Sequence, residues 1–283
     1  MTALASVPKF LQFVRFSHTI FAMPFALGAM FVAAHGLPSG RIVLLIVLAM
    51  IFARTAAMTF NRLADWKIDQ RNPRTEGRHR LIPRGTAMAG CTIASIGFIA
   101  TSWAINPLCF ALSPVALAIV FFYSFTKRFT HAAQFFLGLA LAVAPVGAWL
   151  AVTGSFASPP LILALAVVLW LAGFDTIYAT QDYEIDRREG LKSMVVWLGI
   201  PGALRAAQLL HAGTWITLAA FGWSAGLGLV YWLGLVPILG LLIYEHRTAK
   251  SLNVNAINTA FFNANAWIGV IFVLTTFIDR TLA

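Results

Sequence analysis

Long apolar runs follow one another along almost the whole chain, separated by short polar or Gly/Pro stretches such as "HGLPSG", "TGSFASPP" and "LGIPGA". They fall at about 18–35, 41–62, 87–105, 107–123, 132–153, 161–182, 202–222, 226–244 and 260–278. Each approaches the roughly 20 apolar residues that carry an α-helix across a bilayer. Inside lipid every backbone polar group needs an internal partner, which a helix supplies by itself. A membrane barrel would instead alternate with a period of two, and the runs do not. The pattern predicts an all-α integral membrane protein, a bundle of about nine transmembrane helices. Ahead of the first run, "VPKFLQFVRFSHTIF" sets Phe10, Phe13 and Phe16 three apart, with Lys9 and Arg15 among them. That spacing predicts a short helix lying at the membrane interface. No small-residue cleavage site follows a short apolar core, so no cleavable signal peptide is expected. No stretch between the runs is long enough for a soluble domain, and residues 1–283 read as a single transmembrane domain.

Composition supports the same class. Of 283 residues 60% are apolar and only 11% charged, against about 25% charged in soluble domains. Net charge is +10, and its distribution carries information. Counted from a cytoplasmic N-terminus, the inner segments hold Lys9, Arg15, Lys67, Arg71, Arg74, Arg78, Arg80, Arg84, Lys127, Arg128, Arg187, Arg188, Lys192, Arg205, Arg247 and Lys250. The outer segments hold Arg41 and Arg280, and Arg54 and Arg62 fall within the second run. Sixteen against two is a strong positive-inside bias. It predicts a multi-pass protein of the cell inner membrane with its N-terminus and charged loops cytoplasmic. Positives dispersed over such loops exclude a nucleic-acid partner, and no feature implies an obligate protein partner. Cys91 and Cys109 lie in apolar runs without metal-ligand spacing and read as packing residues.

The candidate chemistry lies at the inner ends of the runs. Asn61, Asp65 and Asp69 are four apart, so on a helix they form one oxygen-bearing stripe about 12 Å long. Asp182 and Asp186 repeat the spacing at the inner end of the sixth run. Snorkelling to water explains one such residue, but less well two matched sets at one membrane face. Hard divalent cations take oxygen ligands, and magnesium commonly shares its shell between carboxylates and substrate phosphates. Facing stripes therefore suit a metal-bridged diphosphate in a cavity opening to the cytoplasmic side. Arg71, Arg74, Arg78, Arg187, Arg188 and Lys192 follow the stripes and supply phosphate-gripping cations. Tyr123 and Lys127 are again four apart, with Arg128 beside them. They read either as interfacial anchors or as catalytic groups, Lys127 neutralising a leaving diphosphate and Tyr123 donating a hydrogen bond to it. The neighbouring stripes favour the second reading.

The segments "NRLADWKIDQRNPRTEGR", "YSFTKRFT" and "YATQDYEIDRREGLKS" resemble the signatures of the UbiA superfamily of intramembrane aromatic prenyltransferases. The resemblance covers nearly the whole chain, including "FSHTIFAMPFALGA" and "LGLALAVAPVGAWLAVTG". The family's N-x-x-x-D-x-x-x-D stripe matches Asn61, Asp65 and Asp69. Its D-x-x-x-D stripe matches Asp182 and Asp186, and its Y-x-x-x-K element matches Tyr123 and Lys127. Many members begin the first motif Asn-Asp. The Asn61-Arg62 here is similar to the bacterial 4-hydroxybenzoate polyprenyltransferase branch and to the prenyltransferases of the futalosine route to menaquinone.

The resemblance implies Mg2+ at the two stripes and a polyprenyl diphosphate whose tail contacts lipid. It implies transfer to an aromatic acid, 4-hydroxybenzoate or a dihydroxynaphthoate, in ubiquinone or menaquinone biosynthesis. Arg54 and Asp175 each precede a stripe by seven residues, close to two turns, and so share its face about 10 Å deeper. Arg54 is expected to meet the acceptor's carboxylate, and Asp175 to orient its hydroxyl or receive the ring proton. Arg128 is a second candidate for that carboxylate. A structural ion pair between Arg54 and Asp175 is the alternative. A transporter with an intramembrane charged site is the competing class, but it calls for inverted repeats or broken helices near the midplane, which the sequence does not display.

Overall fold

The computed structural model describes residues 9–10, 12–14, 21–70, 75, 77, 80–252 and 254–282. Among these, the regular structure is entirely helical. Helix α1, Met23–Ala34, has Pro24 in its first turn, where a missing N–H costs nothing. It ends where His35 and Gly36 turn to positive φ. Helix α2 spans Gly40–Ala64, and the short α3, Trp66–Asp69, follows directly. The Asp65 amide donates to Asn61 O at 2.9 Å and the Asp69 amide to Asp65 O at 2.8 Å. Helical bonding thus continues through the join and keeps Asn61, Asp65 and Asp69 stacked.

Helix α4, Arg84–Ile105, meets α5, Pro107–Thr126, at Asn106. The Asn106 side chain caps α5 by accepting from the Cys109 amide at 2.8 Å, and its own amide donates to Leu150 O at 2.8 Å. That second bond ties the start of α5 to the end of α6, Ala133–Thr153. Helix α7, Ser158–Ala179, runs through a 3-10 turn, Thr180–Asp182, into α8, Tyr183–Arg188. Then come α9, Met194–Ser224, kinked at Gly199 just before Pro201, α10, Leu229–Ala249, and α11, Val254–Leu282.

Nine of these helices have twelve residues or more, and they overlie the nine apolar runs. Seven segments among the described residues are long and apolar enough to cross a membrane, α7 and α8 counting as one. Helix α1 is too short for that by itself. The fold is that of a multi-pass helical membrane protein.

The N-terminal segment departs from the expected interfacial helix. Lys9, Phe10, Gln12 and Phe13 are helical. Phe13 is 1% exposed and packs with Val14, Ile82 and Ala87, flanked by Met58, Leu63 and Trp66. Its ring enters a groove beside α2 and α4 rather than lipid. Arg15 and Phe16 lie outside the described residues.

Helix α7 is central. It packs against α6 on one side and α9 on the other. Around Trp170 the rings of Phe25, Phe174, Phe221 and Phe272 are buried, with Phe25 to Trp170 centroids at 4.9 Å. Lipid tails are as apolar as leucine, so helices in a bilayer associate through close packing and interhelical polar bonds. Both are present here. Gly173 of α7 lies against the His211 ring, whose Nε2 is 3.2 Å from Trp170 O. Asn265 Nδ2 donates to Glu245 Oε1 at 2.9 Å, linking α11 to α10.

Gly138 of α6 faces the α7 backbone so closely that a Cβ there would stand 2.7 Å from Val168 O. Backbone cannot step aside as a side chain can. Gly138→Val is therefore expected to destabilise the protein by about 1–3 kcal/mol, read as a lower unfolding midpoint in detergent. A wild-type midpoint would contradict the close approach.

Candidate active site

Two walls meet at the end of the bundle where α2 and α7 terminate. On the α7–α8 wall, Asp175, Tyr178, Asp182 and Asp186 are spaced three, four and four, which places them on one face. On the opposite wall α2 carries Arg54, Asn61 and its C-cap Asp65, and α3 carries Asp69. All eight side chains line one cavity of ≈ 360 Å³. Tyr123 and Lys127, at the end of α5, and Lys192, just before α9, add to its polar lining. The Lys192 amide donates to Lys127 O at 2.7 Å, which joins that segment to the end of α5.

Charge is unevenly balanced around Asp65. Its carboxylate, 5% exposed, accepts from Lys127 Nζ at 2.6 Å and from Arg128 Nη2 at 3.3 Å. The same Arg128 nitrogen donates to Ala64 O at 2.6 Å, where the carbonyl end of α2 attracts a cation. Two cations on one carboxylate leave this side of the cavity positive, as suits an anionic ligand. Deeper in, Arg54 Nε is buried without a hydrogen-bond partner. Among the described residues no salt bridge joins Arg54 to a carboxylate. Burying a polar atom without a partner is costly, and a buried cation lining the cavity is chemically suited to an anion.

The remaining sequence-predicted groups stand elsewhere. Arg128 lies outside the cavity lining, and Arg187 is exposed on α8. Arg74 and Arg78 lie outside the described residues. The structure also adds lining residues that sequence reasoning did not single out, among them Arg62, Gln134, Phe174 and Tyr178. Arg62 lies over the Phe13 ring, 5.4 Å from its centroid. Tyr178 had a signal: its spacing from Asp175 and Asp182 puts it on the carboxylate face.

Among the described residues no three acidic, imidazole or thiol groups converge into a ready-made metal site. Magnesium does not need one, since it commonly takes one or two carboxylates and completes its shell with phosphate and water. Facing carboxylates across a phosphate-sized hollow fit that habit.

A second hollow of ≈ 420 Å³ adjoins the polar cavity, and the two share the lining residues Arg54, Tyr123, Leu137 and Leu141. The second is a cleft walled by α2, α4, α5 and α6, with small side chains such as Ala53, Ala144 and Ala148. Val115 of α5 and Leu139 of α6 line it and are exposed, so it opens sideways between those helices.

Comparison with known proteins bears on this geometry. A model of the UbiA prenyltransferase family matches residues 22–268. The 4-hydroxybenzoate octaprenyltransferase of Saccharophagus degradans is 30% identical over 260 residues, covering 90% of this chain and 86% of that one. Its counterpart from Marinobacter nauticus is 33% identical over 248 residues, covering 85% and 83%. Among solved structures, the apo UbiA homolog from Aeropyrum pernix K1 superposes with a TM-score of 0.84 at 29% identity, over 93% of this chain and 98% of that one. The Archaeoglobus fulgidus UbiA homolog bound to GPP and Mg2+ gives 0.74 at 24% identity, over 96% and 99%.

Proposed function

Because this chain belongs to the UbiA prenyltransferase family, we propose that it moves a polyprenyl group from an allylic polyprenyl diphosphate to an aromatic acid of the 4-hydroxybenzoate type. One observation carries the reading: a polar hollow between two carboxylate walls lies against an apolar cleft and shares four wall residues with it. A substrate with a multiply charged diphosphate head and a greasy tail suits that pair. The relatives' names point to the same acceptor class.

In this reading the tail lies in the cleft and the head among Asn61, Asp65, Asp69, Asp182 and Asp186. Bound there, magnesium supplies positive charge against the departing diphosphate. Lys127 and Lys192 add cationic contacts from the side, with Arg187 at the rim, and Tyr123 donates a hydrogen bond; Arg74 and Arg78 are proposed as further phosphate contacts on their sequence positions alone. Lys127 exchanges its Asp65 contact for the diphosphate as the head binds.

The C1–O bond breaks with its electron pair going to diphosphate. A ring carbon of the acceptor then bonds to C1 through its π electrons, and the proton on that carbon leaves to Asp175. Arg54 holds the acceptor's carboxylate, with Arg128 as the second candidate. The apolar surround keeps out water, which would otherwise capture the cation. We place the N-terminus and the mouth of the cavity on the cytoplasmic side, supported by the sixteen inner-segment cations, and read residues 1–283 as one domain.

Purified protein in lipid nanodiscs, given geranyl diphosphate, 4-hydroxybenzoate and Mg2+, is expected to release diphosphate and form a prenylated acid. Chelation with EDTA should cut the rate at least about 100-fold, and added Mg2+ should restore it. A parallel arm with a dihydroxynaphthoate reads acceptor preference from product mass. Carriage of the acid across vesicles without diphosphate release would overturn the enzyme reading in favour of a transporter.

A further inference from the structure

One aromatic side chain on the α7 wall stands between Asp175 and the carboxylate stripe. Tyr178 lies three residues after Asp175 and four before Asp182, on the shared face, and it lines the cavity. Those steps place it about 4.5 Å from the level of Asp175 and about 6–8 Å from that of Asp182, the second figure stretched by the 3-10 turn. Across the cavity, Tyr123 sits four residues before Lys127, about 6 Å deeper than the ammonium-bearing turn. The two tyrosines therefore flank the layer next to the one that holds the diphosphate. C1 of an allylic donor, bonded to the diphosphate oxygen, falls in that layer when the tail points into the cleft.

The layer has a particular chemical demand. As the C1–O bond breaks, its electron pair leaves with the diphosphate and C1 becomes cation-like. Until the acceptor ring supplies a new pair, a side-chain oxygen in contact with C1 would capture it as an ester or ether. An aromatic face attracts a cation through its quadrupole without forming a bond. The lining continues this character deeper, since Phe174 and Phe21 also line the cavity with ring centroids 6.0 Å apart.

We propose that Tyr178 is a catalytic residue whose ring face shields the allylic cation at C1 while the acceptor attacks from the other side. This rests on the prenyl-transfer reading above.

The test varies the quadrupole and leaves shape nearly constant. Tyr178→Phe is made first, followed by mono-, di- and trifluorinated phenylalanine at position 178, with unfolding midpoints matched to wild type. Tyr178→Phe is expected to keep most of the single-turnover rate. The fluorinated series should lose rate progressively, by roughly 30-fold in all, with both KM values within about twofold. Tyr178→Leu should fall at the bottom of the series.

A rate indifferent to fluorination overturns the proposal. So does a change confined to the acceptor's KM, which would make the ring a stacking surface. A Tyr178→Phe variant as slow as Tyr178→Leu would assign the effect to the hydroxyl and also overturn it. Wild-type protein that releases no diphosphate removes the prenyl-transfer reading itself, an outcome distinct from an active enzyme with a flat series.

Discussion

Asp182→Asn is expected to lower the rate of diphosphate release by about 10²–10³-fold, the usual cost of removing one preorganised group from the charge developing in a transition state. Asparagine keeps the volume and one oxygen and removes the charge. Asp182 occupies the 3-10 turn between α7 and α8 and faces Asp65 and Asp69 across the cavity. The neutral amide is a much poorer partner for a hard cation, so raising Mg2+ should recover part of the loss. The assay is steady-state diphosphate release over a range of Mg2+. Asp65→Asn should show a comparable loss together with lower stability. Lys127 and Arg128 would then have lost their shared carboxylate. They are 34% and 39% exposed, so water takes up much of that burden, and about 1–2 kcal/mol is the expected size. Full activity in both variants would remove the carboxylate walls from the chemistry.

Arg54→Met is expected to raise the acceptor's KM by at least about 100-fold, because a charge-assisted bidentate contact to the carboxylate is lost. The donor's KM should be nearly unchanged. The same variant is expected to be at least as stable as wild type. A buried Nε without a partner already burdens the folded state, and methionine fills similar space with no polar atom. Raised stability with failed acceptor binding distinguishes a functional arginine from a bracing one. The charge exchange Arg54→Asp with Asp175→Arg provides the converse check: normal turnover there would mean that only the pair, and neither individual role, matters. Acceptor KM and detergent unfolding midpoints decide between the two.

Much of this was legible in the sequence because a helix has a fixed period. Residues four apart must share a face, so Asn61, Asp65 and Asp69 could be stacked, and Asp182 and Asp186 likewise, before any coordinates. The apolar runs located the helices, with the largest boundary difference at α9, which begins at Met194 rather than near 202. There the chain turns helical at the Ser193 cap, whose Oγ accepts from the Val196 amide at 3.2 Å, and the Gly199 and Pro201 that read as a break between runs only kink the helix.

What periodicity does not encode is what an apolar face packs against. The phenylalanines at 10 and 13 suit a membrane interface and a protein groove equally well. Tyr178 within an apolar run looks like any lipid-facing aromatic until its wall is known. The Lys127 and Arg128 contacts to Asp65 cross between α2 and α5, more than 60 positions apart in sequence. Only tertiary packing brings them together.

The sideways opening between Val115 and Leu139 changes how supply must be counted. A hydrocarbon chain seated there need never leave the bilayer, so its arrival is a two-dimensional diffusion problem. What sets turnover for such a molecule is its mole fraction among the lipids rather than its molarity in the buffer. The aromatic acid, arriving from water, obeys ordinary bulk concentration. Diluting the membrane with inert phospholipid would then slow delivery of one reactant and leave the other untouched.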